Sequence, residues 1–246
     1  VFGNVMRCDD ETVTPADSAQ LMKELFLLAE LDTEAEDLRR EMDFSFSFAG
    51  VGRFRVNAYR QRGTLAAVLR SVPFELPDSG KLHIPDSILS LAENQNGIIL
   101  VTGAAGSGKS TTLTCMIDKI NSERPGHIVT IEDPIEFLHK HKKSIISQRE
   151  IGIDTESYSD ALRAALRQSP NVILLGEMRD NETMSIAMTA AETGQLVLST
   201  LHTVGAANTV DRIIDGFPTN QQQQIRMQLS MVLKAVISQQ LLPDTN

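Results

Sequence analysis

Eight consecutive residues read Gly103-Ala104-Ala105-Gly106-Ser107-Gly108-Lys109-Ser110, and they match the pattern G-x-x-x-x-G-K-[ST] at every fixed position. Glycines allow the backbone to curl so that consecutive N–H groups point at one anion, and a helix that starts behind the loop adds its positive end. The loop follows a predicted apolar strand and precedes a predicted helix, which is the context that confirms the pattern. We therefore predict that the loop binds the phosphates of ATP.

The last residues of the loop predict how the nucleotide and its metal are held. Lys109 is expected to contact the β- and γ-phosphates, and the hydroxyl of Ser110 is expected to bind Mg²⁺. Thr111 begins the helix behind the loop and joins the predicted nucleotide-binding residues. ATP and Mg²⁺ are thus the ligands that this stretch predicts.

The sequence on both sides of the loop alternates between short apolar runs and helical runs. Runs without polar alternation predict strands at residues 98–101, 128–131, 172–175 and 196–198. Helices are predicted at residues 111–121, 159–168 and 183–193, the last ended by Gly194. Strands with no polar face belong to a parallel sheet that is covered on both sides. We therefore predict a RecA-like α/β domain at residues 85–246.

The first third of the chain has a different pattern. Thr14 followed by Pro15 predicts a helix start, and alternating apolar residues predict two strands joined by a turn at residues 49–52, with a third strand at 65–70. This pattern predicts a small α+β domain at residues 1–76, followed by a linker rich in Pro and Gly at residues 77–84. Because the chain begins with Val rather than Met and stops in a Leu-Leu-Pro-Asp stretch, we expect residues to be missing at both ends.

Composition argues against several classes of protein. A net charge of -9 disfavours general binding to nucleic acid, since phosphate contacts need clustered Lys and Arg. No apolar run is long enough to span a membrane, so we expect no direct membrane insertion. Cys8 and Cys115 fit neither a disulfide framework nor a zinc site, which indicates a reducing compartment such as the cytoplasm. The basic run at residues 139–143 is interpreted as a solvated turn.

Two acidic segments follow predicted strands and are candidates for hydrolysis. Many P-loop ATPases place an Asp after such a strand to hold Mg²⁺ and polarise water, but here Gly176 has that position and Glu177 must act instead. The second segment reads Glu132-Asp133-Pro134-Ile135-Glu136. Because the ends of parallel strands meet at one edge of a sheet, both segments can face the γ-phosphate, where a carboxylate can accept a proton from water or order it. His202 also follows an apolar strand, although by itself it fits a buried histidine better than a catalytic one.

Five motifs occur in a fixed order along the chain and together resemble the secretion-ATPase superfamily, most closely the type IV pilus retraction ATPases. In that family four of them correspond to the Walker A motif, the Asp box, the atypical Walker B motif and the His box. Here these motifs stand at residues 103–110, 130–136, 176–180, 189–194 and 199–203, and the resemblance runs from about Asp43 to Pro243.

The resemblance implies a subunit with a PAS-like N-terminal domain and a RecA-like C-terminal domain, which binds ATP between the two and assembles as a homohexameric ring. It implies that Glu136 is the general base and that Glu177 is the Walker B carboxylate, with a water between it and Mg²⁺. It also implies that His202 senses the state of the nucleotide.

Several arginines acquire an expected role through the same resemblance. Arg55 and Arg70 match arginines that the N-terminal domain brings to the phosphates, although Arg55 alone fits a solvated strand position opposite Phe54 and Val56. Arg163 and Arg167 are four apart on a predicted helix and are candidates for a subunit interface or a nucleotide link; a solvated face is the alternative. We include Glu192 with them as an interface or sensor candidate.

The family implies that ATP hydrolysis drives a hexameric motor that extracts pilin subunits from the pilus base. Its expected partner is an inner-membrane platform protein, and its expected location is the cytoplasmic face of the inner membrane. Alternatives are a pilus assembly or type II secretion ATPase, a partner retraction ATPase with weak activity, and a nucleotide-binding regulatory subunit that hydrolyses little, which Gly176 would allow. A DNA translocase is disfavoured because the chain is acidic and has no basic and aromatic strip.

Overall fold

The computed structural model describes residues 12–32, 41–48, 51–72 and 76–242 of the 246-residue chain. The chain divides into two compact units, residues 1–73 and residues 74–246. Each unit has a hydrophobic core of its own. The boundaries predicted from the sequence, with a linker at residues 77–84, stay predictions.

The first unit is a helix packed on a three-stranded antiparallel sheet. The strands lie in the order β1-β2-β3, and the elements are α1 (Pro15–Leu28), β1 (Met42–Phe48), β2 (Gly52–Gln61) and β3 (Thr64–Val72). Thr14 starts the helix as predicted: its hydroxyl accepts the Asp17 N–H at 3.3 Å, while the Asp17 carboxylate accepts the Thr14 N–H at 2.9 Å. This reciprocal pair satisfies backbone donors that the first turn leaves free.

Alternation along the strands separates a buried face from a polar face. Val56 and Ala58 are buried beneath α1, where Phe26 and Phe44 meet edge to face at 5.4 Å. Arg55 points to the opposite face, as its position in the alternation requires. The predicted hairpin is confirmed by the antiparallel register of β1 and β2, whereas residues 49–50 of its predicted turn lie outside the described residues.

The second unit is built on a six-stranded parallel sheet with the order β6-β5-β7-β8-β4-β9. Its strands are β4 (Gly97–Thr102), β5 (His127–Glu132), β6 (Ile145–Glu150), β7 (Val172–Leu175), β8 (Leu196–Leu201) and β9 (Leu233–Ser238). The four strands predicted from apolar runs are the four central ones. The sequence did not predict β6 and β9, because these two edge strands are only partly buried and carry polar residues.

Helices cover both faces of this sheet. They are α2 (Asp86–Leu89), α3 (Lys109–Glu123), α4 (Tyr158–Ala165), α5 (Asn181–Glu192), α6 (Ala206–Asp215) and α7 (Gln222–Val232). Alternate residues of β4 point to opposite faces of the sheet. Ile98 and Leu100 pack in the core with α5 and α7. Ile99 and Val101 pack in the core with α3. None of the helices in the described ranges is long and apolar enough to cross a membrane.

The predicted helix at residues 159–168 is wrong at its end. Helix α4 stops at Ala165, and a 3₁₀ turn, Leu166–Gln168, follows before Ser169 takes a left-handed backbone conformation. Helix α7 was not predicted, although its buried residues Ile225, Leu229 and Val232 have helical spacing. The polar glutamines around these three residues obscured their helical spacing in the sequence.

The basic run at residues 139–143 is solvated except for its first residue. Lys142 and the residues beside it are exposed, and Lys142 pairs with Asp118 at 2.6 Å. His139 differs from the prediction, because it is only partly exposed and its backbone N–H donates to Gln148 Oε1 at 2.8 Å. Burial lowers the pKa of His139 to about 4.

Candidate active site

The phosphate loop connects β4 to α3 and is shaped by glycines that no larger residue could replace. Gly103 and Gly108 have φ angles of +145° and +88°, in the region that favours glycine. A Cβ on Gly103 would come within 2.2 Å of the Gln239 carbonyl oxygen. The loop can therefore keep this curled path only with glycine at both positions.

Lys109 begins α3 and turns back over the loop. Its side chain is buried, and Nζ donates to the carbonyl oxygens of Gly103 at 3.0 Å and Ala104 at 2.9 Å. Burial lowers the pKa of the Lys109 ammonium, while the negative charges of Glu136 and Glu177 act in the opposite direction. The lysine thus lies between the loop and the two acidic segments.

A cavity of about 430 Å³ opens where the central strands end. The structure brings together in its lining most of the predicted loop and catalytic residues, namely Ala105, Gly106, Gly108, Lys109, Ser110, Thr111, Glu136, Glu177 and His202. The loop residues Gly103, Ala104 and Ser107 are not among the lining residues. Glu132, Asp133, Tyr158, Arg179 and Thr200 line it as well. Convergence of strand ends therefore places the cationic and acidic candidates around one space.

Glu177 is the most buried acid of the cavity and has two basic neighbours. Its Oε1 pairs with Arg179 Nη2 at 2.5 Å, and its Oε2 lies 3.5 Å from His202 Nε2. The hydrogen bond and charge of Glu177 raise the pKa of Arg179. Oε2 is buried and has no hydrogen-bond partner among the described residues. Because a buried carboxylate oxygen without a donor is costly, a water or ligand group that reaches this oxygen would be bound favourably.

Glu136 is exposed to the cavity. It lies on a loop whose backbone N–H groups donate hydrogen bonds to two other carboxylates. Glu132 accepts hydrogen bonds from Thr130 Oγ1 at 2.7 Å, from Gln148 Nε2 at 3.2 Å and from the backbone N–H of Glu136. Glu150, at the end of β6, accepts the Ile135 N–H at 3.2 Å. The backbone of the loop is thus fastened, while the Glu136 side chain is exposed to the cavity.

Burial raises the pKa of Glu132 to about 7 and outweighs the hydrogen bonds that it accepts. A carboxyl that titrates near neutrality beside the cavity is typical of functional sites. Glu132 belongs to one of the two acidic segments found in the sequence, but no role was predicted for it.

Tyr158, the first residue of α4, is a further site residue that was not predicted from the sequence. Its phenol lies in the cavity lining, and burial, followed by the charges of Glu177 and Asp133, raises its pKa. Ser157 caps the helix by accepting the Asp160 N–H at 3.1 Å, which fixes where α4 starts. No motif marks the tyrosine; only the capping serine before it could have indicated a helix start there.

Four predicted arginines remain. Arg55 and Arg70 belong to the first unit, where they are register partners across β2 and β3. Arg163 pairs with Glu182 at 2.6 Å on the exposed side of α4. Arg167 is in the 3₁₀ turn and not on the same α-helix, contrary to the prediction, and donates to the Arg163 carbonyl at 3.2 Å.

Glu192 ends α5 and also lies outside the cavity lining. Its carboxylate accepts a hydrogen bond from Gln228 Nε2 of α7 at 3.4 Å.

The donor set of the cavity fits Mg²⁺ bound together with a phosphate. Mg²⁺ takes few protein ligands and keeps waters or phosphate oxygens for the rest of its shell. The described residues contain no group of three or more His, Cys, Asp or Glu side chains that could hold a metal ion. The Ser110 hydroxyl, and the Glu177 carboxylate, whose Oε2 accepts no hydrogen bond from the described residues, are oxygen groups that could hold such an ion directly or through a water.

Two bacterial relatives are similar to this chain over most of its length. It is 54% identical over 202 residues to a twitching motility protein of Neisseria gonorrhoeae, covering 82% of this chain and 54% of the relative. It is 50% identical over 202 residues to the type IV pilus retraction ATPase PilT of Pseudomonas aeruginosa, covering 82% of this chain and 59% of the relative. The chain therefore spans a little over half the length of these relatives.

A solved structure and a family model agree with these matches. The crystal structure of the pilus retraction motor PilT with bound ADP superimposes with a TM-score of 0.80 and 58% identity, over 83% of this chain and 60% of that one. The model of the type II/IV secretion system protein family matches residues 65–245. The resemblance inferred from the five motifs is confirmed, and the chain belongs to the type II/IV secretion system protein family.

Proposed function

We propose that this chain hydrolyses ATP with Mg²⁺ and that the hydrolysis drives a hexameric motor for type IV pilus retraction. The observation that supports this proposal best is the single cavity in which Lys109, Glu136 and Glu177 meet. Relatives named for twitching motility and pilus retraction provide the second line of support.

The loop and Lys109 would bind the phosphates. Backbone N–H groups of the loop point at an anion, and α3 adds the positive end of its dipole. Phosphate oxygens would compete with the Gly103 and Ala104 carbonyls for the three donors of Lys109 Nζ. Because a charged acceptor makes the stronger hydrogen bond, nucleotide binding would draw Nζ away from these carbonyls.

Glu136 would act as the general base. It is an exposed carboxylate of the cavity, and the bonds of Glu132 and Glu150 hold the backbone beneath it. A carboxylate in this place can accept a proton from water or orient the water by a hydrogen bond. Ser110 would bind Mg²⁺ directly and Glu177 would bind it through a water; the ion supplies positive charge beside the phosphates.

His202 would report the state of the nucleotide. It is exposed at the end of β8, and its Nε2 lies 3.5 Å from Glu177 Oε2. A change in the partners of Glu177 would therefore reach the loop between β8 and α6. Arg55 and Arg70 would add positive charge to the phosphates, as arginines supplied from another domain or subunit do in other phosphoryl-transfer enzymes.

At the level of the assembly, we propose a PAS-like first unit, a RecA-like second unit and a homohexameric ring. The ring would act at the cytoplasmic face of the inner membrane on a platform protein of the pilus machine. A pilus assembly or type II secretion ATPase is the second candidate, because the matching family model covers both type II and type IV secretion proteins.

The proposal is tested by measuring ATP turnover with Mg²⁺ while light scattering records the size of the assembly. We expect turnover that increases with assembly and is lost in Glu136→Ala and Lys109→Ala. Glu156→Ala, which removes an exposed carboxylate after β6, is the matched control and should keep full activity. Turnover that survives in Glu136→Ala would show that Glu136 is not the general base and would favour Glu177 in that role. An assembled ring that binds ATP without hydrolysing it would favour a regulatory subunit.

Retraction and assembly are distinguished in cells. In a piliated bacterium without its retraction ATPase, the full-length protein should restore twitching, and Glu136→Ala should not. Restored pilus assembly in a strain without its assembly ATPase would instead support the second candidate.

A further inference from the structure

Gln239 directly follows β9 and lies behind the phosphate loop. Its backbone N–H donates to the Thr102 carbonyl at 2.7 Å, which extends the pairing of β9 with β4 by one residue. Its side-chain Oε1 accepts a hydrogen bond from Thr112 Oγ1 on α3 at 2.9 Å, although the two residues are 127 positions apart. One residue thus joins the strand before the loop to the helix after it.

The same residue fills the space next to both glycines that shape the loop. The Gln239 carbonyl oxygen would lie 2.2 Å from a Cβ on Gly103, and its Nε2 would lie 2.9 Å from a Cβ on Gly108. Such distances mean that the loop packs directly on Gln239 at its beginning and at its end. Gln239 is not among the residues that line the cavity, so it would act on a ligand only through the loop.

Ser238 connects the same segment to the loop that carries His202. Its Oγ accepts the Gly205 N–H at 2.9 Å, and Gly205 is the residue before α6. The end of β9 therefore contacts the phosphate loop and the loop after β8 at adjacent positions.

We propose that Gln239 is a positioning residue for the phosphate loop, so that the affinity for nucleotide phosphates depends on its side chain. The inference rests on the proposed binding of nucleotide phosphates by the loop. It assigns a role in that binding to a residue that lies outside all five sequence motifs. Removal of the amide leaves the buried Thr112 hydroxyl without its acceptor and opens space beside Gly108. The loop then samples more conformations, and ligand binding must order it again.

Gln239→Ala is compared with Gln240→Ala, which changes the same residue type one position later, where the side chain is exposed. A fluorescent ADP analogue with Mg²⁺ is the probe. Because a lost hydrogen bond of this kind changes an equilibrium by about three- to tenfold, we expect the Kd of Gln239→Ala to rise by that factor. Gln240→Ala should bind like the unmodified protein.

Thr112 provides a second pair of variants in case Gln239→Ala folds poorly. Thr112→Val removes the donor at nearly constant volume and should raise the Kd as Gln239→Ala does, whereas Thr112→Ser keeps the donor and should not. In steady state, Gln239→Ala should increase the KM for ATP by a larger factor than it lowers kcat. A role in stability alone would lower the melting temperature and leave Kd and KM unchanged.

The outcomes separate this inference from the proposed hydrolysis, because the binding of ADP requires no turnover. An equal Kd in folded Gln239→Ala and Gln240→Ala would overturn the role of Gln239 even if ATP hydrolysis is normal. A protein that hydrolyses no ATP but loses ADP affinity only in Gln239→Ala and Thr112→Val would support the role of Gln239 while the motor proposal fails.

Discussion

The phenol oxygen of Tyr158 lies 2.9 Å from the point that a Cβ on Gly176 would occupy. The φ angle of Gly176 is outside the left-handed region, so backbone freedom does not explain the glycine. The space taken by Tyr158 does explain it. The Cβ of an Asp, which many P-loop ATPases have at this position, would lie 2.9 Å from the phenol oxygen and 3.4 Å from Glu132 Cα.

Gly176→Ala is expected to destabilise the second unit, because a methyl group forced into a packed site costs about 1–3 kcal/mol. Tyr158→Phe removes the oxygen that the methyl group would meet. In the double variant the loss should therefore be smaller than the sum of the single effects, which a double-mutant cycle of denaturant unfolding measures.

Tyr59→Phe is the matched control for this cycle, since Tyr59 is the other tyrosine of the chain and lies on β2. It should not reduce the cost of Gly176→Ala. Additive effects of Gly176→Ala and Tyr158→Phe would show that the phenol does not determine the residue at position 176.

Arg179→Ala is expected to lower ATP turnover by about tenfold, which corresponds to roughly 1.4 kcal/mol in the activation barrier. Arg179 makes the charge-assisted bond of 2.5 Å that orients Glu177, and without it the carboxylate can rotate. Steady-state kinetics should show a lower kcat with a smaller change in KM. Arg149→Ala, on the outer strand β6, is the control and should leave kcat unchanged. An unaltered kcat in Arg179→Ala would exclude the orienting role.

Glu132→Gln is expected to change how stability depends on pH. Burial raises the pKa of Glu132 from 4.5 to about 7. Between these values the folded protein keeps a proton that the unfolded chain has released, so the free energy of unfolding falls as pH rises through this window. The glutamine exchanges no proton and removes this loss. From about pH 5 to about pH 8, stability should shift in favour of the variant by up to about 3 kcal/mol.

Denaturant unfolding at a series of pH values measures this shift, and Glu156→Gln, which replaces an exposed carboxylate, controls for the change in net charge. Parallel stability curves for Glu132→Gln and the unmodified protein would mean that Glu132 titrates alike in the folded and unfolded chain.

The sequence predicted those features whose signal is local. The phosphate loop is one contiguous pattern, and the four central strands are unbroken apolar runs because helices cover both of their faces. Edge strand β9 has no such run, and contacts such as Gln239 to Thr112 join residues too distant in sequence for any spacing rule. Tyr158 reaches the cavity only because α4 starts where Ser157 caps it.

Arg55 and Arg70 face each other across β2 and β3, although like charges directly opposite each other weaken a sheet. Arg70→Ala should therefore leave the folding of the first unit intact or improve it, while lowering ATP turnover. If these arginines act on a site to which another subunit contributes Lys109, mixing Arg70→Ala with the inactive Lys109→Ala variant should restore part of the activity. Arg62→Ala, at the turn between the two strands, is the control and should be fully active alone. Full turnover of Arg70→Ala in an assembled ring would show that Arg70 does not contribute to the site.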